Sequence, residues 1–491
     1  MNAFKDLMAF QSQTEALSQV AGRLGWDQET VMPVGAAQQR GEEMAAMENV
    51  LHARRIAPQV ADWLAKIEDS TLDLVGQAQM RHIRKSFART QKVPADLAAE
   101  IAKVTSQAQG QWAQARSDKD TGAFVPVLEN VVRLKREEGQ ALASNGDVYD
   151  AMIDDYEPDM TAAELAAMFD EMRPRLVNLR SAALEAPSPR ALFGHYPEKL
   201  QLALSQKLAD AFGYDGKHGR IDKAVHPFSS GSGQDVRITT RVSEDDPFNC
   251  FYSTIHEVGH ACYEQNIDNA YLLTPLGQGV SMGVHESQSR IYENQIGRSQ
   301  AFTGWLFEQM KSSFDEFDVP DATTFFGTVN RVNKGYIRTE ADEVQYNLHV
   351  MLRFDLERAL MRGDLSVKDL EAAWNDRFEA DFGYAVDKPS NGVLQDVHWS
   401  VGLFGYFPTY ALGNVYAGCL YDALRQDCLN LDAELSVGNT VGATNWLKAN
   451  LQTHGGLRSP RETIEFASGM APSPKPFLGY LEAKFGQIYQ L

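Results

Sequence analysis

Cysteine is scarce in this chain: Cys250, Cys262, Cys419 and Cys428 are the only four in 491 residues. No Cys-x-x-Cys pair occurs, which argues against a disulfide framework and against a cysteine-rich structural zinc site. All four are expected to be free thiols. There is no run of 18 apolar residues, so no membrane-spanning helix and no membrane partner are expected. Positive charge is also in deficit. Acidic residues outnumber basic ones 66 to 46, a formal charge of -20, whereas a nucleic-acid surface needs a net basic face. No period of 20 to 50 residues repeats, which excludes a solenoid. The opening residues, Met1 to Met8, carry no basic segment followed by an apolar one, and with no anchor the expected compartment is the cytoplasm.

Helical periodicity dominates what is present. Leu17, Val20, Ala21 and Leu24 recur at the spacing of one helix face, as do Leu165, Met168, Phe169 and Met172. The second set follows Thr161-Ala162-Ala163-Glu164, a capping-box signature. Later, Ser366 is placed to cap a helix whose buried face carries Val367, Leu370 and Trp374. Strand signal is confined to Val236–Val242, rich in β-branched residues and alternating with period two. It follows Ser229-Ser230-Gly231-Ser232-Gly233, read as a flexible stretch. The expectation is one hairpin or edge strand in a mainly α-helical protein, a single domain over residues 1–491 with a cleft.

The most informative stretch is Thr254-Ile255-His256-Glu257-Val258-Gly259-His260. On a helix, positions i and i+4 share a face, so His256 and His260 can present two imidazoles to one cation while Glu257 points toward the remaining coordination position. A catalytic zinc needs a third protein ligand. One peptidase class continues this motif with Gly and then His, but Tyr263 and Asn266 occupy those positions here. A second class takes a glutamate from a later helix, and Glu286 in Val284-His285-Glu286-Ser287-Gln288 has a suitable separation. Glu264 is a rival by proximity, though a third ligand on the same helix would strain tetrahedral angles. Glu293, two turns beyond Glu286, is also open. Cys262 falls on another side of the helix and is read as a small buried apolar residue.

Several separated motifs then appear in a recognisable order. They are Asp235-Val236-Arg237-Ile238-Thr239, His256-Glu257-Val258-Gly259-His260, His285-Glu286-Ser287-Gln288, Ile337-Arg338-Thr339-Glu340-Ala341-Asp342 and Gly392-Val393-Leu394-Gln395-Asp396-Val397-His398-Trp399. With Gly25-Trp26-Asp27-Gln28-Glu29 and His226-Pro227-Phe228, the sequence resembles the carboxypeptidase Taq family of metallocarboxypeptidases over nearly its full length. The resemblance implies a helical fold akin to the angiotensin-converting enzyme and neurolysin type, with a deep groove between two helical halves. It also implies a homodimer that removes single residues from peptide C-termini, with broad specificity and proline disfavoured. Zinc is the implied metal, with cobalt able to serve.

On this basis His256, His260 and Glu286 are the expected metal ligands and Glu257 the general base. In related helical metallopeptidases a His and one or two Tyr stabilise the oxyanion, which points to His398, Tyr410 and Tyr406. A guanidinium suits the free carboxylate that an exopeptidase must recognise. Arg338 is the first candidate for that task and Arg237 the second. Asp235, Asp342, Asp396 and Gln395 are open to supporting or structural roles, and His226 and His285 to lining the cleft or packing. The competing readings are an oligoendopeptidase or dipeptidyl carboxypeptidase and, from a different class, a non-catalytic peptide-binding protein with a structural metal.

Overall fold

The structure is a computed structural model that describes residues 3–491. Helices account for most of it, and one small sheet is present among the described residues. The first two α-helices, α1 (Ala3–Thr30) and α2 (Ala37–Arg55), pack against each other. α1 is helical as its periodicity predicts, yet the stripe from Leu17 to Leu24 is only partly covered and Val20 is exposed. Burial falls instead on Leu7 and Trp26. The reason lies in what α1 meets at either end. Leu7 joins a satellite cluster with Val60, Leu64, Met80 and Ile83, while Trp26 stacks beneath the guanidinium groups of Arg220 and Arg237.

The capping box at Thr161 forms as expected, with both reciprocal bonds to Glu164. It starts the helix Ala162–Glu185, which buries Leu165, Phe169 and Met172. Ser366 behaves differently from its expected role. Its hydroxyl donates to Asp369 Oδ2 instead of accepting from a backbone N–H, because a short 3₁₀ turn (Val367–Asp369) intervenes before the helix Leu370–Phe382. The buried face of Val367, Leu370 and Trp374 forms nonetheless.

The sheet contains the expected hairpin and corrects the alternative reading of an edge strand. Its order is β1 (Ile221–Lys223), β3 (Asp235–Thr240), β2 (Ser229–Ser232), so β3 is central and not an edge. β1 pairs with it in parallel and β2 in antiparallel fashion, with Ile221 and Ser229 both opposite Ile238. The Gly/Ser stretch is thus a strand and its turn, not a flexible connection. Gly233 takes a φ of 63° at that turn, a region open to glycine at little cost. β3 carries Val236 and Ile238 inward against the helix Pro247–Asn266.

That helix, called here the motif helix, begins with Pro247 in its first turn and with Asp246 accepting from the Phe248 N–H. Both features suit a helix start. It lies in the main core beside the glutamate helix (Met282–Arg290), which in turn packs on the tyrosine helix (Phe407–Asp427). Among the described residues no helix is long and apolar enough to cross a membrane.

Candidate metal centre

Two glycines set the depth at which these three helices meet. A Cβ at Gly259 would lie 2.6 Å from the Gln288 carbonyl oxygen and 2.6 Å from Ser289 Cα, so the motif helix touches the glutamate helix backbone to backbone. A Cβ at Gly413 would lie 2.5 Å from Glu286 Cγ. Glycine costs a helix interior about 1 kcal/mol relative to alanine, and here it yields close approach. Glu286 is thereby pressed between the motif helix and the tyrosine helix, 5% exposed.

From this position Glu286 Oε2 lies 3.8 Å from His256 Nε2 and 3.5 Å from His260 Nε2. Ligand atoms of the three residues all fall within 4.8 Å of one another. Metal–ligand bonds of about 2.0–2.2 Å with tetrahedral angles place ligand atoms about 3.3–3.5 Å apart. Two imidazoles and a carboxylate at these separations fit a divalent transition metal. None of the four cysteines joins the cluster, and all are free. Glu264 and Glu293, the rival ligands, instead bond to imidazole groups around the cluster. Glu293 Oε2 is 2.9 Å from His256 Nδ1, on the edge of the ring opposite Nε2. It reaches there from a π-helical turn (Ile291–Ile296) that directly extends the glutamate helix, a local irregularity common at functional sites.

Electrostatics favour charged carboxylates here. Burial opposes ionisation of Glu286, but Arg290, whose Nε donates to Glu286 Oε1 at 2.7 Å, and the two imidazoles hold its carboxyl well below the ordinary range. For Glu293 burial is likewise outweighed, by the His256 hydrogen bond and Arg290, and its pKa falls to about 2. His260 is driven by burial to about 3, against the pull of Glu286, which leaves it the neutral imidazole that a metal requires. Glu257 stands apart. Burial pushes its pKa up to about 7, opposed by His256 and reinforced by Glu286 and Glu293.

Arg290 carries the site outward. Its guanidinium lies 4.1 Å above the Tyr346 ring, and the Tyr346 hydroxyl accepts from Arg338 Nη1 at 3.2 Å. Arg338 sits 5.0 Å over the Tyr410 ring, and Tyr410 OH is 3.4 Å from His398 Nε2. Tyr406 packs edge-on to Tyr410 with centroids 5.3 Å apart. Tyr410 is three residues before Gly413, hence on the same face of the tyrosine helix. His398, Tyr406, Tyr410 and Arg338 therefore gather beside Glu286. Burial lowers the His398 pKa to about 4, while the Tyr410 phenol is raised well above its usual value by burial and by Tyr406. Both groups are uncharged at neutral pH.

The structure does not bring Arg237 into that group. Its guanidinium clasps Asp235 through Nε and Nη2 at 2.8 and 3.0 Å and lies 4.6 Å over Trp26, in a small pocket between α1 and β2. Asp235 also pairs with Arg23. Asp396 accepts from both Arg338 and Arg353, and its Oδ1 is 3.8 Å from His398 Nδ1. Gln395 accepts from the Arg338 backbone N–H. Asp342 caps the helix Gln345–Arg362 by accepting from the Val344 and Gln345 N–H groups. His226 is exposed beside β2, so it neither packs nor joins the cluster.

Residues that the motifs do not announce hold the loop bearing His398. Buried Glu357 accepts from Trp399 Nε1 at 2.7 Å, from the Gly405 N–H at 2.9 Å and from the Tyr149 hydroxyl at 2.7 Å. Burial raises its pKa to about 7. Sequence offers little signal for it: Glu357 lies in an ordinary helical pattern, and its partners come from two distant segments, at Tyr149 and at Trp399 to Gly405.

A helical fold with two motif-helix imidazoles and a glutamate from a later helix defines a metallopeptidase-like centre. Comparison narrows this. The model of the carboxypeptidase Taq (M32) metallopeptidase family matches residues 6–485, and the chain belongs to that family. It is 38% identical to thermostable carboxypeptidase 1 of Thermus thermophilus over 505 aligned positions, covering 99% of each chain. It is 32% identical to carboxypeptidase 1 of Bacillus subtilis, covering 96% of each. Among solved structures, the M32 carboxypeptidase of Deinococcus radiodurans superposes with a TM-score of 0.94 at 36% identity over 100% of both chains. Metallocarboxypeptidase 1 of Trypanosoma cruzi superposes at 0.96, with 31% identity over 98% of this chain and 99% of that one. The fold expected from the resemblance, a mainly helical single domain, is the fold observed, and the chain is a peptidase of the metallocarboxypeptidase class.

Proposed function

We propose that this metallocarboxypeptidase releases single C-terminal amino acids from peptides, using zinc or cobalt held by His256, His260 and Glu286. The observation that carries the reading is the convergence of those three side chains within 4.8 Å beside buried Glu257. A divalent metal bound there supplies Lewis acidity, activating water and polarising a carbonyl. Glu257 takes the proton of the attacking water and delivers it to the leaving amine. Uncharged Tyr410, with His398 and Tyr406 beside it, donates to the oxyanion. The free carboxylate of the substrate pairs with Arg338, which keeps donors beyond those used by Asp396 and Tyr346. Arg237 fits this task less well, because it lies against Trp26 and Asp235 and away from the group around Tyr410.

Two substitutions test these roles together. Tyr410→Phe should lower kcat on the order of 10²- to 10³-fold with metal content unchanged. Arg338→Ala should raise KM for free-acid peptides roughly 10- to 100-fold, the worth of a charge-assisted pair, and leave C-terminal amides unaffected. Full kcat in Tyr410→Phe, Tyr406→Phe and His398→Ala alike would remove the oxyanion assignment. Equal losses on acid and amide would remove Arg338 from carboxylate recognition.

Family membership supports broad specificity with proline disfavoured. Mass analysis of products from a peptide ladder varied at its C-terminal residue tests this. Single residues released from every member except those ending in proline are expected. Dipeptides or internal cuts would instead favour a dipeptidyl carboxypeptidase or an oligoendopeptidase. We further propose a cytoplasmic homodimer, supported by the free cysteines and by exposed Val20, Val31, Val34, Met44, Val50 and Ile56 along α1, α2 and their flanks. Sedimentation at the 54.6 kDa of one chain, or recovery outside the cytoplasmic fraction, would contradict it.

A further inference from the structure

Hydrolysis as described leaves His285 without a task, although both nitrogens of its ring are engaged. Its place directly before Glu286 on the glutamate helix sends the two side chains in different directions. Glu286 meets the Nε2 atoms of His256 and His260, whereas His285 meets the far edge of the His260 ring. His285 Nδ1 lies 2.6 Å from His260 Nδ1, and His285 Nε2 lies 2.9 Å from Glu264 Oε1.

Proton counting fixes what each atom does. A neutral imidazole that gives its Nε2 lone pair to a cation carries its one proton on Nδ1. His260 Nδ1–H then faces His285 Nδ1, which has to accept. The single proton of His285 is therefore on Nε2, where the Glu264 carboxylate accepts it. The opposite tautomer would set two N–H groups against each other across 2.6 Å.

The surroundings are built around this arrangement. His260 and Glu264 lie one turn apart on the motif helix, and His285 bridges them from the neighbouring helix. The Gly279 N–H donates to the same Glu264 Oε1 at 2.8 Å. A Cβ at Gly279 would lie 2.6 Å from His285 Cδ2, so glycine there leaves room for the ring. Tyr263 packs on His285 with ring centroids 5.3 Å apart. The two ligand histidines are thus supported differently: His256 by a carboxylate in direct contact, His260 by a carboxylate acting through a second histidine.

We propose that Glu264 and His285 form a positioning relay that fixes the tautomer and orientation of His260, so that its Nε2 is presented to the metal. This rests on the reading of His256, His260 and Glu286 as ligands. Partners of this kind are worth 10- to 100-fold in metal affinity.

The test is zinc affinity, measured by chelator competition on the full chain and its variants, with circular dichroism of the metal-free forms as the check on folding. His285→Phe keeps a ring but removes the acceptor, and should weaken zinc binding roughly 10- to 100-fold. His285→Asn sets an amide oxygen near the former Nδ1 position and should recover most of that loss. Unchanged affinity in His285→Phe, or equal loss in both variants, would overturn the relay and leave His285 a packing residue. Failure of the unaltered protein to bind one zinc would overturn the ligand reading, and the relay with it. Long-range 15N spectra of the unaltered, zinc-loaded protein give a readout independent of any variant. His285 protonated on Nε2 is expected, and protonation on Nδ1 would overturn the proposal.

Discussion

Glu257→Gln is expected to retain one equivalent of metal and to lose kcat on the order of 10²- to 10⁴-fold, the range of a positioned general base. The amide matches the carboxylate in size, so the packing of a residue only 6% exposed is preserved. What it cannot do is accept a proton. Burial, with Glu286 and Glu293 nearby, makes Glu257 the least readily ionised carboxylate of the cluster and so the one suited to gaining and releasing a proton near neutrality. Metal analysis alongside single-turnover kinetics separates the outcomes. Loss of metal, or turnover at the unaltered rate, would contradict the assignment.

The second large effect is expected at a residue that touches no substrate. Gly259→Ala places a methyl group 2.6 Å from the Gln288 carbonyl oxygen and Ser289 Cα, both part of the glutamate helix backbone. A flexible side chain could yield, but here the helix itself has to move. Overpacking of this kind costs roughly 1–3 kcal/mol, and the displacement is transmitted to Glu286, three residues before Ser289. Misplacement by about 1 Å costs on the order of 10²-fold in rate. The variant should therefore melt earlier and bind metal more weakly, both measurable by calorimetry and chelator competition. Native melting and native affinity together would show that the two helices do not meet as described.

These two residues also show what was legible in the sequence. His256, Glu257 and His260 stand out because the period of a helix alone puts them together, whereas the need for a third ligand leaves Glu264, Glu286 and Glu293 open and the family resemblance points to Glu286. Gly259 is printed inside the same motif, yet its role depends on a second helix whose position no local pattern gives. Glu293 illustrates a different limit. It was a rival ligand by spacing, and a π-helical turn carries it to the outer edge of His256 instead. Strand order was hidden for a further reason. β1 has three residues and no alternating pattern to announce it, so the sequence shows the hairpin but not the parallel neighbour that makes Asp235–Thr240 central. Arg338 and Arg237 look alike as motif arginines, but partners distant in sequence separate them: Tyr346 and Asp396 draw one beside Tyr410, while Asp235 and Trp26 hold the other against α1.

The central claim is metal-dependent removal of a C-terminal residue, and the most direct test is release of that residue from an N-blocked peptide. Protein stripped by a chelator is compared with protein given back zinc or cobalt, on the free acid and on its C-terminal amide. Release from the acid alone, absent after stripping and restored by metal, is the predicted result. Cleavage of acid and amide alike would make the protein an endopeptidase, and no cleavage by fully metallated protein would contradict the catalytic account.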